Sequence, residues 1–226
     1  LLLAPVAVLA QTKVKSVPFA YVPDASADPY AERIPNKLLP LADGTFLLLT
    51  RRSAQEYAVE RYAAADLKLR WSCAVPLQDG EVIDAFAASA EAVTLLTYRA
   101  DPATGEQLMA GFRIDLTSGQ RSERKALLAG PKGRRLYGSC SDDGTKLVVY
   151  ETRARQSQLT EIRATVADQH FKTLHEPLID LRGAGGSASA TVRVANNGDC
   201  YVGLQTDGGI KLTVRRYPLK GEEAQV

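Results

Sequence analysis

Apolar side chains recur at every second residue in short runs along the chain. Thr191-Val192-Arg193-Val194-Ala195 is one such run, and its alternation predicts a strand with one face turned to a core. Other runs are apolar throughout, such as Phe46-Leu47-Leu48-Leu49 and Leu147-Val148-Val149-Tyr150, and predict strands covered on both faces. Between the two kinds stand Asp43-Gly44, Asp143-Gly144 and Asn197-Gly198. Asp-Gly and Asn-Gly between strand-like runs are hairpin signals, because both central residues tolerate a positive φ.

The pattern repeats. An alternating run, a tight turn and a more apolar run occur around residues 37–49, 136–150 and 191–204. A fourth copy, Ile83 to Thr97, has the same shape without a turn glycine. Taking Gly44, Glu91, Gly144 and Gly198 as anchors, the copies fall 47, 53 and 54 residues apart. Each turn is followed at 17 to 22 residues by a strand-like run holding an arginine: Arg61, Arg113, Arg163 and Arg215. A polar turn comes next, and in the first three copies a further short strand.

Two stretches compete with this reading. Ser53-Ala54-Gln55-Glu56 fits a capping box, and Ala54, Tyr57, Ala58, Tyr62, Ala65 and Leu69 fit one face of a helix. Residues 155–175 carry Leu159, Ile162, Val166 and Leu174 at near-helical spacing. A helical outcome there would make the chain an α+β domain; the fourfold repeat favours strands.

Four strands per unit and a period near 50 resemble the blades of a β-propeller. Phe112-Arg113-Ile114-Asp115-Leu116-Thr117-Ser118-Gly119 is similar to the turn after the third strand of such blades. Tyr62 to Trp71, with Asp66 at its turn, is similar too. The resemblance is to exported bacterial propellers, kin to WD-repeat and quinoprotein-type blades. It departs from both types, since no Trp-Asp dipeptide occurs and Trp71 is the single tryptophan. The resemblance implies an all-β chain with blades at about 36–78, 79–130, 131–183 and 184–226. The last blade is expected to be incomplete, and the whole a fragment of a larger ring. The alternative is closure by Val14 to Val22 pairing with the last blade, with Pro18 at an edge or end of the ladder.

Composition narrows the classes. Of 226 residues, 45% are hydrophobic and 24% charged, as in ordinary globular chains, which argues against disorder and a multispanning membrane protein. A net charge of +2 gives no footprint for nucleic acid. Residues 1–10, LLLAPVAVLA, are too short an apolar run to span a bilayer, which takes about 20 residues. They fit the apolar part of a secretory signal with the cut after Ala10, so residues 11–35 would be an N-terminal extension. The expected location is secreted or periplasmic, with no membrane span in the mature chain. Cys73, Cys140 and Cys200 are an odd number in an oxidising compartment and stand among apolar or small residues. They read as small buried hydrophobes; one disulfide plus a free thiol is the alternative.

Candidate chemistry is sparse. His170 and His175 are the only histidines, five apart and without a neighbouring cysteine cluster, so no metal site is expected. His175-Glu176-Pro177 reads as a solvated turn. No G-x-S-x-G elbow is present, and Gly138-Ser139-Cys140 reads as packed strand. Arg182-Gly183-Ala184-Gly185-Gly186-Ser187 lacks the Gly-Lys-Ser/Thr ending of a phosphate loop and reads as an inter-blade connection. The oxygens of Asp142-Asp143 and Asn196-Asn197-Gly198-Asp199 read as turn chemistry rather than calcium ligands. The pairs Arg51-Arg52, Arg134-Arg135 and Arg215-Arg216 read as solvated faces or edge protection.

The function expected is therefore a non-catalytic scaffold binding a protein or small ligand through its loops or channel mouth, with no cofactor. The alternative is a periplasmic hydrolase or lyase drawing on Asp84, Asp143, Arg113 and His175, with a quinone-dependent dehydrogenase as a weaker variant. A third possibility is one module of a larger protein, such as the sensor of an exported receptor. No catalytic or ligand-binding residue is assigned from the sequence.

Overall fold

The computed structural model describes Ser16 and residues 37–53, 55–156, 158–182, 189–206 and 210–220. The expected signal, the N-terminal extension bar Ser16, the run proposed to close the ring and the glycine-rich stretch 183–187 lie outside those residues. Every described element is a strand.

The first sheet is β1 (Leu38–Pro40), β2 (Thr45–Arg51), β3 (Glu56–Ala63) and β4 (Leu69–Pro76). The second is β5 (Glu81–Ala88), β6 (Ala92–Ala100), β7 (Gln107–Asp115) and β8 (Lys125–Gly130). The third is β9 (Leu136–Cys140), β10 (Lys146–Arg155), β11 (Gln158–Asp168), β12 (Thr173–His175) and β13 (Leu178–Asp180). The fourth is β14 (Ser189–Val194), β15 (Cys200–Thr206) and β16 (Lys211–Tyr217). Each is an antiparallel meander in chain order, save that β12 and β13 both pair with β11, and no strand of one sheet pairs with a strand of another. Four successive meanders with this order are propeller blades. Among the described residues they form an open series, since no core cluster joins the fourth sheet to the first.

The pattern of each strand follows its place. Middle strands lie between two neighbouring sheets, so β6 is apolar and buried on both faces over Ala92–Thr97. Outer strands face water on one side, and β4 alternates through Trp71, Cys73 and Val75. The stretch Glu56–Ala63 is strand, not helix, because β3 hydrogen-bonds to β2 and β4 on its two edges. Ser53 takes the Gln55 amide on its hydroxyl, but within a hairpin turn in which the Arg52 and Ser53 amides both reach the Glu56 carbonyl. Residues 158–168 are likewise strand, paired to β10 along their length.

Core residues form three layers, one between each pair of sheets. Leu47, Leu49, Val59 and Val75 meet Phe86, Leu95, Phe112 and Ile114. Leu96 and Met109 meet Leu136, Leu147, Val149 and Phe171. Val148, Ile162 and Val166 meet Val192, Val202 and Leu204. Adjacent residues such as Leu95 and Leu96 thus serve opposite interfaces, as period-two alternation requires.

The turns differ from expectation in one respect. Only the glycine of each pair is left-handed: Gly44 at φ +76°, Gly144 at +67° and Gly198 at +90°. The Leu41 amide reaches Thr45 and the Ala195 amide reaches Asp199, so these loops hold three residues. A three-residue loop is a common turn followed by one left-handed residue, which spares the Asp or Asn the positive φ.

Candidate functional site

The first strand of every blade contributes to one cavity of about 440 Å³. Blade 1 supplies Leu39, Pro40 and Leu41; blade 2 supplies the β5 segment Asp84–Ala88. Blade 3 supplies Gly138 to Asp142, and blade 4 supplies Arg193. First strands of propeller blades line the central channel, so this cavity is the channel wall of the four-blade series.

Its frame is a buried ion pair. Asp84 is 2% exposed and Arg135 15%. One carboxylate oxygen accepts from Arg135 Nη2 at 2.9 Å, and the other from the Gly138 amide at 2.7 Å. The guanidinium lies 4.2 Å over the Tyr98 ring and 5.7 Å from that of Tyr137. Asp84 therefore ties β5 to β9 across two blades, and its charge is already compensated. Close approach fixes Gly138, where an added Cβ would stand 2.7 Å from Leu96 Cδ1 and 3.5 Å from Asp84 Oδ2.

The hydroxyls in the wall are engaged in structure. Ser139 Oγ donates to the Val192 carbonyl at 3.4 Å, and Ser141 Oγ donates to Asp143 at 2.7 Å. Cys140 is partly exposed, yet the packing around its thiol pushes its pKa up to about 12. At neutral pH it is a thiol, not the thiolate that nucleophilic chemistry uses. Cys73 and Cys200 are buried, and all three cysteines are free. Burial raises Cys73 and pushes Cys200 up to about 12.

Of the four residues offered for a hydrolase or lyase, only Asp84 lines the cavity; Gly138, Ser139, Cys140 and Asp142, read as packed strand and turn, line it too. Asp143 sits in its own hairpin turn. Burial works against its charge, but the bonds from Ser141 and Thr145 outweigh this and hold its carboxyl below the usual range. Arg113 is on the third strand of blade 2, with Nη1 2.8 Å from His170 Nδ1. An arginine only donates, so His170 accepts through Nδ1 and carries its proton on Nε2. His175 is on the outermost strand of blade 3. Its pKa is lowered by burial, against the opposing charge of Asp199. The four do not converge.

One other reading is corrected. Arg135, read as solvated, is the cation of the buried pair because Asp84 and two tyrosine rings replace its water. Arg52 and Arg216 are exposed as expected, and pair with Glu60 at 2.9 Å and Asp199 at 2.6 Å. In the sequence Asp142 reads as turn chemistry and Arg193 only as part of an alternating run, since neither spacing nor motif marks which strand is innermost.

No protein-family model matches the chain, and no curated protein does. Solved structures give a likeness. With the acylaminoacyl peptidase of Pyrococcus horikoshii it is 10% identity over 80% of this chain and 30% of that one, at a TM-score of 0.48. With the β-propeller domain of the Trilobed protease of Pyrococcus furiosus it is 11% over 80% and 53%, at 0.45. With the Pan2 WD40 domain of Neurospora crassa it is 12% over 81% and 62%, at 0.31. The chain thus spans less than two thirds of each. The blade assignment rests on the sheet order above.

Proposed function

We propose that the chain is an exported, non-catalytic propeller scaffold that binds a ligand at its channel wall. One observation carries the reading: first strands of all four blades meet at one cavity whose buried carboxylate, hydroxyls and thiol are committed to structure. Asp84 is held by Arg135 and Gly138, Ser139 and Ser141 donate within the fold, and Cys140 stays protonated. Nucleophilic and acid–base catalysis need a group with a base or acid in reach, and Asp84, Ser139, Ser141 and Cys140 are each held out of that role. A concave wall of this size suits a small molecule or a peptide segment. Export is supported by the apolar run Leu1 to Ala10 alone.

Ala87→Trp, placed in the wall, tests the reading. Ligands found by thermal-shift screening of the full chain should lose binding in this variant, with far-ultraviolet circular dichroism unchanged. Ligands that bind the variant as well as the parent would place binding elsewhere. Turnover of any screened ester, peptide or glycan that is lost in the variant would replace the scaffold with an enzyme.

A further inference from the structure

The wall is divided by chemistry. On the side of blades 1 and 2, apart from the paired Asp84, it is apolar, with Leu39, Leu41 and the short side chains Ala85 and Ala87. On the side of blades 3 and 4 it presents one anion, Asp142, and one cation, Arg193. Both are exposed. Among the described residues neither makes an ion pair or side-chain hydrogen bond, unlike Asp84 and Arg135 beside them. The turn that carries Asp142 is fixed to blade 4 by the Asp143 amide, which donates to Asn196 Oδ1 at 3.2 Å. The two charges therefore line the side of the cavity where blades 3 and 4 are joined.

Resting on the binding reading above, we infer that this cavity takes a small zwitterion with an apolar body, of the type of an amino acid or short peptide with free ends. Its carboxylate meets Arg193, whose planar fork of donors suits two oxygens. Its ammonium meets Asp142. Its side chains lie on the leucine and alanine wall. A dianion such as phosphate gains from Arg193 but is repelled by Asp142, so the corner favours a ligand with both signs.

Isothermal titration calorimetry on the full chain tests this with leucyl-leucine, its N-acetyl form, its C-terminal amide and inorganic phosphate. Leucyl-leucine is expected to bind about tenfold tighter than either blocked form, the effect of losing one charge-assisted contact. Arg193→Gln should erase the preference for the free carboxylate, and Asp142→Asn that for the free ammonium. Both side chains are exposed, so both variants keep the fold. Blocked peptides binding as well as the free one, phosphate binding as tightly as the peptide, or no heat with leucyl-leucine would each overturn the inference. If another ligand then binds and is lost in Ala87→Trp, the scaffold reading survives without the zwitterion; if no ligand responds to Ala87→Trp, both fall.

Discussion

At the scale of single residues, two left-handed turn glycines separate conformational strain from contact. Gly44 has φ +76° and open space where a Cβ would go. Gly144 has φ +67°, and its Cβ would stand 2.3 Å from the Ala88 carbonyl oxygen, which is backbone and cannot swing aside. Gly44→Ala should cost about 1–2 kcal/mol, the left-handed penalty alone. Gly144→Ala should cost clearly more, because blade 3 must move off the end of β5. Urea unfolding of the two variants checks the difference, and equal losses would mean that the contact yields. Asp84 offers a second comparison. Asp84→Ala leaves Arg135 buried without its anion, a loss on the order of 3–5 kcal/mol. Asp84→Leu with Arg135→Leu should lose much less, since no charge is stranded, and a double-mutant cycle in urea reads the coupling. Neither residue was legible as a pair: they stand 51 positions apart and meet only through the packing of β5 on β9.

At the scale of elements, the arginine that follows each turn shows what a sequence repeat does and does not carry. All four lie on the third strand of their blade, as the spacing predicts. Their directions differ. Arg61 reaches forward to the Leu116 carbonyl of blade 2, and Arg113 reaches forward to His170 of blade 3. Arg163 instead reaches back to the Ala129 carbonyl of blade 2 at 2.8 Å. A shift of one residue along a strand moves a side chain to the other face, and offsets of 17 to 22 cannot resolve that shift. Strand existence was therefore legible in the apolar runs, whereas the face of a polar residue was not. The fourth blade differs at another level. The third strands β3, β7 and β11 have buried residues, while every residue of β16 is at least partly exposed. Leu212 is 67% exposed and Val214 54%, on a strand that, among the described residues, pairs along one edge only. Such an edge templates association. Val214→Lys should slow aggregation of the purified chain in light scattering while shifting the urea midpoint little, as a surface change on an unpacked face would. A large loss of stability would instead show that this face is packed in solution.

At the scale of the whole molecule, the four blades unfold with a pH dependence set by groups scattered over several of them. The period near 50 made the blades legible, but the electrostatics came only with the structure, because partners lie in neighbouring turns and blades. His175 has its pKa lowered by burial from an ordinary 6.5. Below pH 6.5 the unfolded chain takes up a proton that the folded chain resists, so stability falls as pH drops from 6.5 through the folded value. Asp143 and Asp199 are held below 3.8. In both, burial opposes the charge and hydrogen bonds overcome it, from Ser141 and Thr145 in one and from Leu219, Arg216 and Asn197 in the other. Their contribution is complete above 3.8 and is lost as pH falls through the folded values. Stability should thus drop in two stages, one starting just below pH 6.5 and one below 3.8. Trp71 reports both, since its indole donates to the Leu116 carbonyl at 2.8 Å and its ring packs where a Cβ on Gly119 would stand. Urea midpoints read by its fluorescence across pH should lose the upper stage in His175→Gln and keep the lower one. In Asp143→Asn with Asp199→Asn the lower stage should shrink and the upper remain, the rest of the lower stage coming from Asp43, Asp101, Asp115 and Asp180, whose carboxyls are also held low by hydrogen bonds. If His175→Gln leaves the upper stage intact, the group that titrates there is not His175, and the burial assigned to its imidazole is wrong.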